Sequence, residues 1–199
     1  MCSWCWAFQS VYSEIQKQLK DSVQHKRLLG GLAPDSIQDM PADMQDYLQQ
    51  TWRMIEQRVP GVQFNFDFWS VCQPRRSTWP ACRAVIAARQ QGEQYDKVMT
   101  CAIQSAYYTQ ARNPSNEDVL IQLAVDIGLD SNQFSQDFHD ADTQRQLDQE
   151  LSFCKQLNVD SFPALVLDSN DSMWRIPLDY NDAASSMDFI RQLINTAHS

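Results

Sequence analysis

Nowhere in the 199 residues does an uninterrupted apolar run approach the about 18 residues that a membrane-spanning helix requires. A soluble chain with no membrane partner is therefore expected. Positive charge is scarce as well, with 16 Lys and Arg against 25 Asp and Glu and a formal net charge of −9. Nucleic acids and anionic lipid surfaces are held through Lys and Arg clusters that displace counterions, so nucleic acid is not an expected partner. The first twenty residues lack the basic start, apolar stretch and small-residue cleavage site of a secretory signal, which makes the cytoplasm the default compartment. Six cysteines in a chain of this length are too sparse for a disulfide scaffold, and most are expected as reduced thiols.

What is present is ordinary core material, 43% hydrophobic with six Trp, six Tyr and nine Phe. Cys5, Phe8, Tyr12, Ile15 and Leu19 recur at helical steps, predicting one amphipathic helix over about residues 3 to 20 with Cys5 on or beside its apolar stripe. HKRLLGGLAP has a short apolar run ended by Gly30, Gly31 and Pro34, the pattern of a strand and a break. From about 39 to 158 the pattern is helical. Met44, Leu48, Trp52, Ile55 and Val59 form one stripe before Pro60-Gly61, and Ser77 or Thr78 with Pro80 starts a helix that Gly92 ends. A helix holding Cys101 is expected to reach Asn113-Pro114, and Ser115 with Asp118 reads as a capping box. Two more helices follow, marked by Phe134 and Phe138 and by Leu147, Leu151, Cys154 and Leu157. ALVLDS and WRIPLDY, separated by Asn170-Asp171, predict a hairpin whose second strand is kept at the edge by Pro177. Asn181-Asp182 caps a closing helix through Phe189, Ile190, Leu193 and Ile194.

The chemistry-bearing motif is MCSWCW. Cys2 and Cys5 are one helical turn apart, and two thiols at that spacing close a constrained ring suited to exchange rather than to structural cross-linking. If Cys2 caps the helix, the unpaired N–H groups of the first turn and the positive dipole end favour its thiolate over a thiol of ordinary pKa near 8.5. Cys5, a turn inward, would resolve the mixed disulfide. A zinc site is the competing reading of such a pair, but it needs two further ligands. Cys72 and Cys82, ten apart, and the scattered His25, His139 and His198 supply them poorly, so no metal is assigned. Cys72, Cys82, Cys101 and Cys154 read as inert thiols in helical apolar patterns.

Taken in order, MCSWCW, LLGGLAP, FNFDFW, PRRSTWPACRA, AYYTQARNPS and SFPALVL resemble the DsbA-like thioredoxin-fold family of predicted disulfide isomerases, close to the FrnE-type proteins. The resemblance extends over nearly the whole chain. It implies an α/β thioredoxin-like fold with a large helical insertion, residues 1–38 and 155–199 forming the thioredoxin-like domain and 39–154 the insertion. It also implies that Pro163 is a cis-proline facing the cysteine pair, with Phe162 offering backbone groups to an extended substrate segment. Family members carry a β-strand and an Asp-Pro stretch directly ahead of the motif, whereas Met1 is the first residue here. The first, central strand is then expected to be missing, with the slot filled by a homodimer partner or closed by rearrangement of the sheet.

The function so implied is thiol-disulfide exchange on protein or small-molecule thiols and disulfides. Cys2 is the expected nucleophile and Cys5 the resolving thiol, with Pro163 shaping the peptide-binding face. Ser3, Trp4 and Phe162 are the candidate substrate-side residues. The redox-active Cys2–Cys5 pair replaces any resident cofactor, and glutathione is a candidate co-substrate. The alternatives are a glutathione-dependent transferase or isomerase of related fold and a noncatalytic redox-sensing or zinc-binding module. Arg75 and Arg76 could receive an anion or a glutathione carboxylate, although a solvated charge pair is the simpler reading.

Overall fold

The computed structural model describes residues 1–20, 22–169 and 172–197. The chain begins with two short helices, α1 (Ser3–Ala7) and α2 (Gln9–Gln18), in place of the one expected. They meet at Phe8, which ends one and caps the other with helical dihedrals. The junction divides the burial of adjacent residues. Ala7 packs into a cluster of aromatics, while Phe8, Val11, Ile15 and Leu19 pack into the core of the half that carries the hairpin.

Seven helices follow: α3 (Ala42–Arg58), α4 (Phe68–Val71), α5 (Trp79–Gln90), α6 (Tyr95–Thr109), α7 (Glu117–Asp126), α8 (Ser131–His139) and α9 (Ala141–Gln156). Strands β1 (Leu165–Ser169) and β2 (Ser172–Ile176) then form an antiparallel hairpin in the register Leu165 opposite Ile176, and α10 (Ala184–Ala197) closes the chain. The predicted hairpin turn, Asn170-Asp171, lies outside the described residues. The second strand stops directly before Pro177, whose missing N–H cannot extend the ladder.

Three expectations are corrected. Residues 24–32 form no strand: a strand needs a ladder partner, and among the described residues the only sheet is the two-stranded one. Backbone groups in and just after the segment are taken up by side chains of the helical block, the Leu29 N–H by Glu150 Oε2 at 2.6 Å and the Ala33 N–H by Thr78 Oγ1 at 2.9 Å. The helix holding Cys101 ends at Thr109, because Ala111 turns left-handed and the Arg112 N–H bonds back to the Ala106 carbonyl. Ser115 is not a cap. Asn116 takes that position, while the Ser115 hydroxyl donates to the Ser77 carbonyl at 2.7 Å.

Helices α5 to α9 surround one aliphatic core that includes Ile86, Met99, Ile103, Leu120 and Leu147. Beside it lies the aromatic cluster centred on Trp52, fully buried and ringed by Phe64 at 4.8 Å, Trp69 at 4.9 Å, Tyr107 at 5.6 Å and Tyr108 at 5.7 Å between ring centroids. Its Nε1 donates to Ser3 Oγ at 2.9 Å. Truncating it opens a cavity and also removes that tether. Trp52→Ala is expected to lower stability by about 3–5 kcal/mol, measured by urea denaturation, with a larger loss of order at residues 1–7 than elsewhere in hydrogen exchange.

Candidate active site

Cys2 occupies the N-cap of α1 in an extended conformation, and its carbonyl accepts from the Cys5 N–H at 3.1 Å and the Trp6 N–H at 3.3 Å. That arrangement leaves the first-turn N–H groups pointing toward the Cys2 side chain, the normal environment of a capping residue. All six cysteines are free thiols. The Cys2 thiol donates to the Phe162 carbonyl across 3.2 Å, joining residues 160 positions apart. The Phe162–Pro163 peptide is cis. Cys2, Cys5, Phe162 and Pro163 are all half-buried, so the structure brings together the start of the chain and the segment ahead of β1.

The two sulfurs polarise each other. A hydrogen bond from Cys5 is the chief cause that brings the Cys2 pKa down to about 7, assisted by the backbone N–H groups of Cys5 and Trp4 and opposed by burial. The same bond, with burial, holds Cys5 protonated well above its ordinary range. Arg27 acts on Cys5 in the opposite direction as a nearby positive charge. The Phe162 carbonyl accepts from the protonated Cys2 thiol and opposes the thiolate, so ionisation exchanges that contact for the donors around Cys5. A nucleophile and a protonated partner one turn away is the division of labour that a two-step exchange requires.

The other predicted residues are placed less uniformly. Ser3 is turned inward, 7% exposed, with its hydroxyl taken by Trp52; it anchors the first turn and does not face a substrate. Trp4 is half-buried, its ring 4.8 Å from that of Tyr180. Arg75 is no solvated charge: it donates to the Ser115 carbonyl at 2.9 Å and to Asn116 Oδ1, and so ties down the start of α7, while Arg76 is exposed. Cys72 packs against the aromatic cluster and Cys82 against the aliphatic core. Burial raises the Cys82 pKa to about 11. His139 is exposed and paired with Glu117 at 2.8 Å, and His198 lies outside the described residues. No group of three or more His, Cys, Asp or Glu among the described residues could hold a metal ion.

Tyr180, Gly30 and Arg27 belong to this neighbourhood without having been singled out by the sequence. Tyr180 follows the hairpin, and its phenol pKa is raised to about 12 by burial and by Cys2 and Cys5 nearby. Gly30 lies against the Phe162 ring, where a Cβ would fall 2.2 Å from the ring tip. In the sequence the GG pair of LLGGLAP marks a break and carries no sign of the ring that packs against it. Tyr180 and Arg27 gave no local signal, since only the folded chain brings them near the sulfurs.

Among the solved structures most similar to this chain is one from Nitrosomonas europaea provisionally named a protein disulfide isomerase. It matches with a TM-score of 0.85 at 22% identity, over 98% of this chain and 94% of that one. The cytosolic disulfide reductase DsbM from Pseudomonas aeruginosa matches with a TM-score of 0.74 at 18% identity, over 99% and 96% of the two chains. The same protein with GSH matches with a TM-score of 0.73 at 18% identity, over 98% and 95%. These likenesses establish the thioredoxin-like fold. Two curated relatives are ClpXP adapter proteins named SpxH, from Halalkalibacterium halodurans (25% identical over 172 residues, 83% of this chain) and Bacillus subtilis (23% over 186 residues, 91% of this chain). The chain spans 55% and 60% of their respective lengths. The profile of a family described as thioredoxin matches residues 1–178.

Two measurements test the geometry. Thiolate absorbance or the rate of alkylation of Cys2 is expected to rise with a midpoint near pH 7, the Cys2 value given above. In Cys5→Ala, which removes the donated hydrogen bond, the midpoint should move up toward that of a free thiol; an unmoved midpoint would contradict the assigned cause. Gly30→Ala forces the Phe162 ring aside and is expected to destabilise by about 1–3 kcal/mol in urea denaturation.

Proposed function

The chain belongs to the thioredoxin family, and from that premise we propose that it is a thiol-disulfide oxidoreductase in which Cys2 attacks and Cys5 resolves. The observation that carries the reading is the Cys2–Cys5 pair beside Phe162–Pro163, with the two thiols polarised in opposite directions. The Cys2 thiolate attacks one sulfur of a substrate disulfide, forming a Cys2–substrate mixed disulfide and releasing the other substrate sulfur as a thiolate. Cys5 then gives up its proton to solvent or to the departing thiolate and attacks the Cys2 sulfur. The second substrate thiol leaves, and two electrons have passed from the dithiol to the substrate. The reverse sequence reduces the Cys2–Cys5 disulfide at the expense of two external thiols, which leave as a disulfide.

A thiolate-stabilised Cys2 stabilises the reduced form and so raises the reduction potential above that of a pair of ordinary thiols. Which way the exchange runs is then set by the partner couple. Glutathione is the proposed small-molecule co-substrate, a reading supported by the fold shared with a disulfide reductase whose structure was solved with GSH. A cytoplasmic setting is part of the same proposal, supported by the fold shared with a cytosolic disulfide reductase. No helix among the described residues is long and apolar enough to cross a membrane.

A second reading, a noncatalytic adapter, is favoured by one specific observation: the two curated relatives are ClpXP adapters matching 83% and 91% of this chain. The two readings part on the cysteines. After exposure to oxidised glutathione, Cys5→Ser is expected to retain one glutathione on Cys2 by intact mass spectrometry, whereas the wild type resolves it. Cys2→Ser should reduce insulin disulfides no faster than glutathione alone. A Cys2→Ser variant with undiminished reductase activity would exclude Cys2 as the nucleophile, wild-type protein no faster than glutathione alone would exclude the enzyme reading, and an adapter would keep its partner when both cysteines are serine.

A further inference from the structure

We infer that the cleft between α2, residues 25–27 and the turn joining α5 to α6 is a binding site for a small polyvalent anion, an organic molecule carrying two or more carboxylate or phosphate groups. The cleft has a volume of about 660 Å³, within the range of roughly 300–1,000 Å³ that holds metabolite-sized ligands. Cys2, Cys5 and Phe162 do not line it; Arg27, whose charge also acts on Cys5, is the residue common to the two neighbourhoods.

Its walls carry more cationic than anionic side chains. Lys26, Arg27, Arg89 and Lys97 line it, four of the 16 Lys and Arg in a chain of net charge −9. The lining carboxylates are Glu93 and Asp96. Both oxygens of Asp96 are already engaged, one by Arg27 at 3.4 Å and the other by Arg89 at 2.5 Å. Arg89 also pairs with Glu150, and its Nη2 remains buried without a hydrogen-bond partner. Lys26 and Lys97 are exposed and make no ion pair among the described residues, and Glu93 is the one lining carboxylate not engaged by Arg27 or Arg89. The carboxamides of Gln16, Gln90, Gln94 and Gln146 supply further neutral donors.

The two ammonium groups come from separate elements, Lys26 from the segment after α2 and Lys97 from the first turn of α6. A ligand with one charge would gain only the small energy of a surface ion pair. One with two or more anionic groups can meet both lysines while its remaining oxygens accept from the carboxamides and the rigid guanidinium wall. That argument selects a polyvalent anion over a monovalent one, and the volume selects a small molecule over a polymer.

Isothermal titration of the full chain with citrate and with inorganic pyrophosphate tests the site. The wild type should bind at least one of them saturably at one site per chain. Binding of citrate alone assigns the carboxylate class, of pyrophosphate alone the phosphate class, and of both the shared chemistry. In Lys26→Glu/Lys97→Glu, affinity should fall by about tenfold or more, the loss expected of two charge-assisted contacts. Arg58→Glu/Lys155→Glu, an equal change in net charge at exposed positions elsewhere, should bind as the wild type does. The proposal is overturned if neither anion binds saturably, if the Lys26/Lys97 variant binds unchanged, or if the control variant loses as much.

Discussion

The buried hydrogen bond from Trp52 to Ser3 determines where the two sulfurs sit. A helix of five residues has no independent stability, because nucleation fixes several dihedrals for each hydrogen bond gained. The position of α1 therefore comes from what holds its side chains. Ser3 is tied to Trp52, Trp6 donates to the Gln63 carbonyl at 3.3 Å and stacks on Tyr108, and Ala7 is buried among the aromatics. The helical block thus acts as the mould for the cysteine turn, and the hairpin half supplies the Phe162 carbonyl opposite it and the Tyr180 ring against Trp4.

Around Cys2 the competing interactions are close to balance. Burial and the Phe162 carbonyl favour the protonated thiol, while the Cys5 donor and the first-turn N–H groups favour the thiolate. The donors prevail because they act at hydrogen-bond range, while the burial that opposes them is incomplete. Cys5 is more strongly committed, since giving up its proton would place two negative sulfurs side by side. The asymmetry comes from position along the helix and needs no charged residue between the cysteines; the intervening Ser3 and Trp4 are an anchor and a packing surface.

Most elements were legible in local periodicity. The stripes of α3 and α9, the stops at Gly61, Gly92 and Gly128, all at positive φ, and the hairpin ending at Pro177 follow from side-chain spacing and backbone stereochemistry. Long-range partners account for part of the difference. The Ser115 hydroxyl is claimed by a distant carbonyl instead of its own helix, whereas Thr78 does start α5 even though its hydroxyl bridges both backbone groups of Ala33. A capping signature gives the side chain's capacity and not its partner, so long-range acceptors can take it. Residues 24–32 have the composition of a strand, but a ladder is a property of two segments and composition describes one.

The sequence by itself determined the chemistry available: two thiols a turn apart at a helix start, a break before the hairpin at Pro163, and an acidic chain without a basic patch in linear view. The resemblance it carries to a known family supplied the fold. Only the tertiary structure decided which groups surround the sulfurs. Phe162, Tyr180, Gly30 and Arg27 come from separate stretches of chain and meet there, and the cationic cleft gathers Lys26, Arg89 and Lys97 in the same way. Pairing energies and pKa values depend on distance in space, and linear order carries that distance only within a helical turn or along a strand.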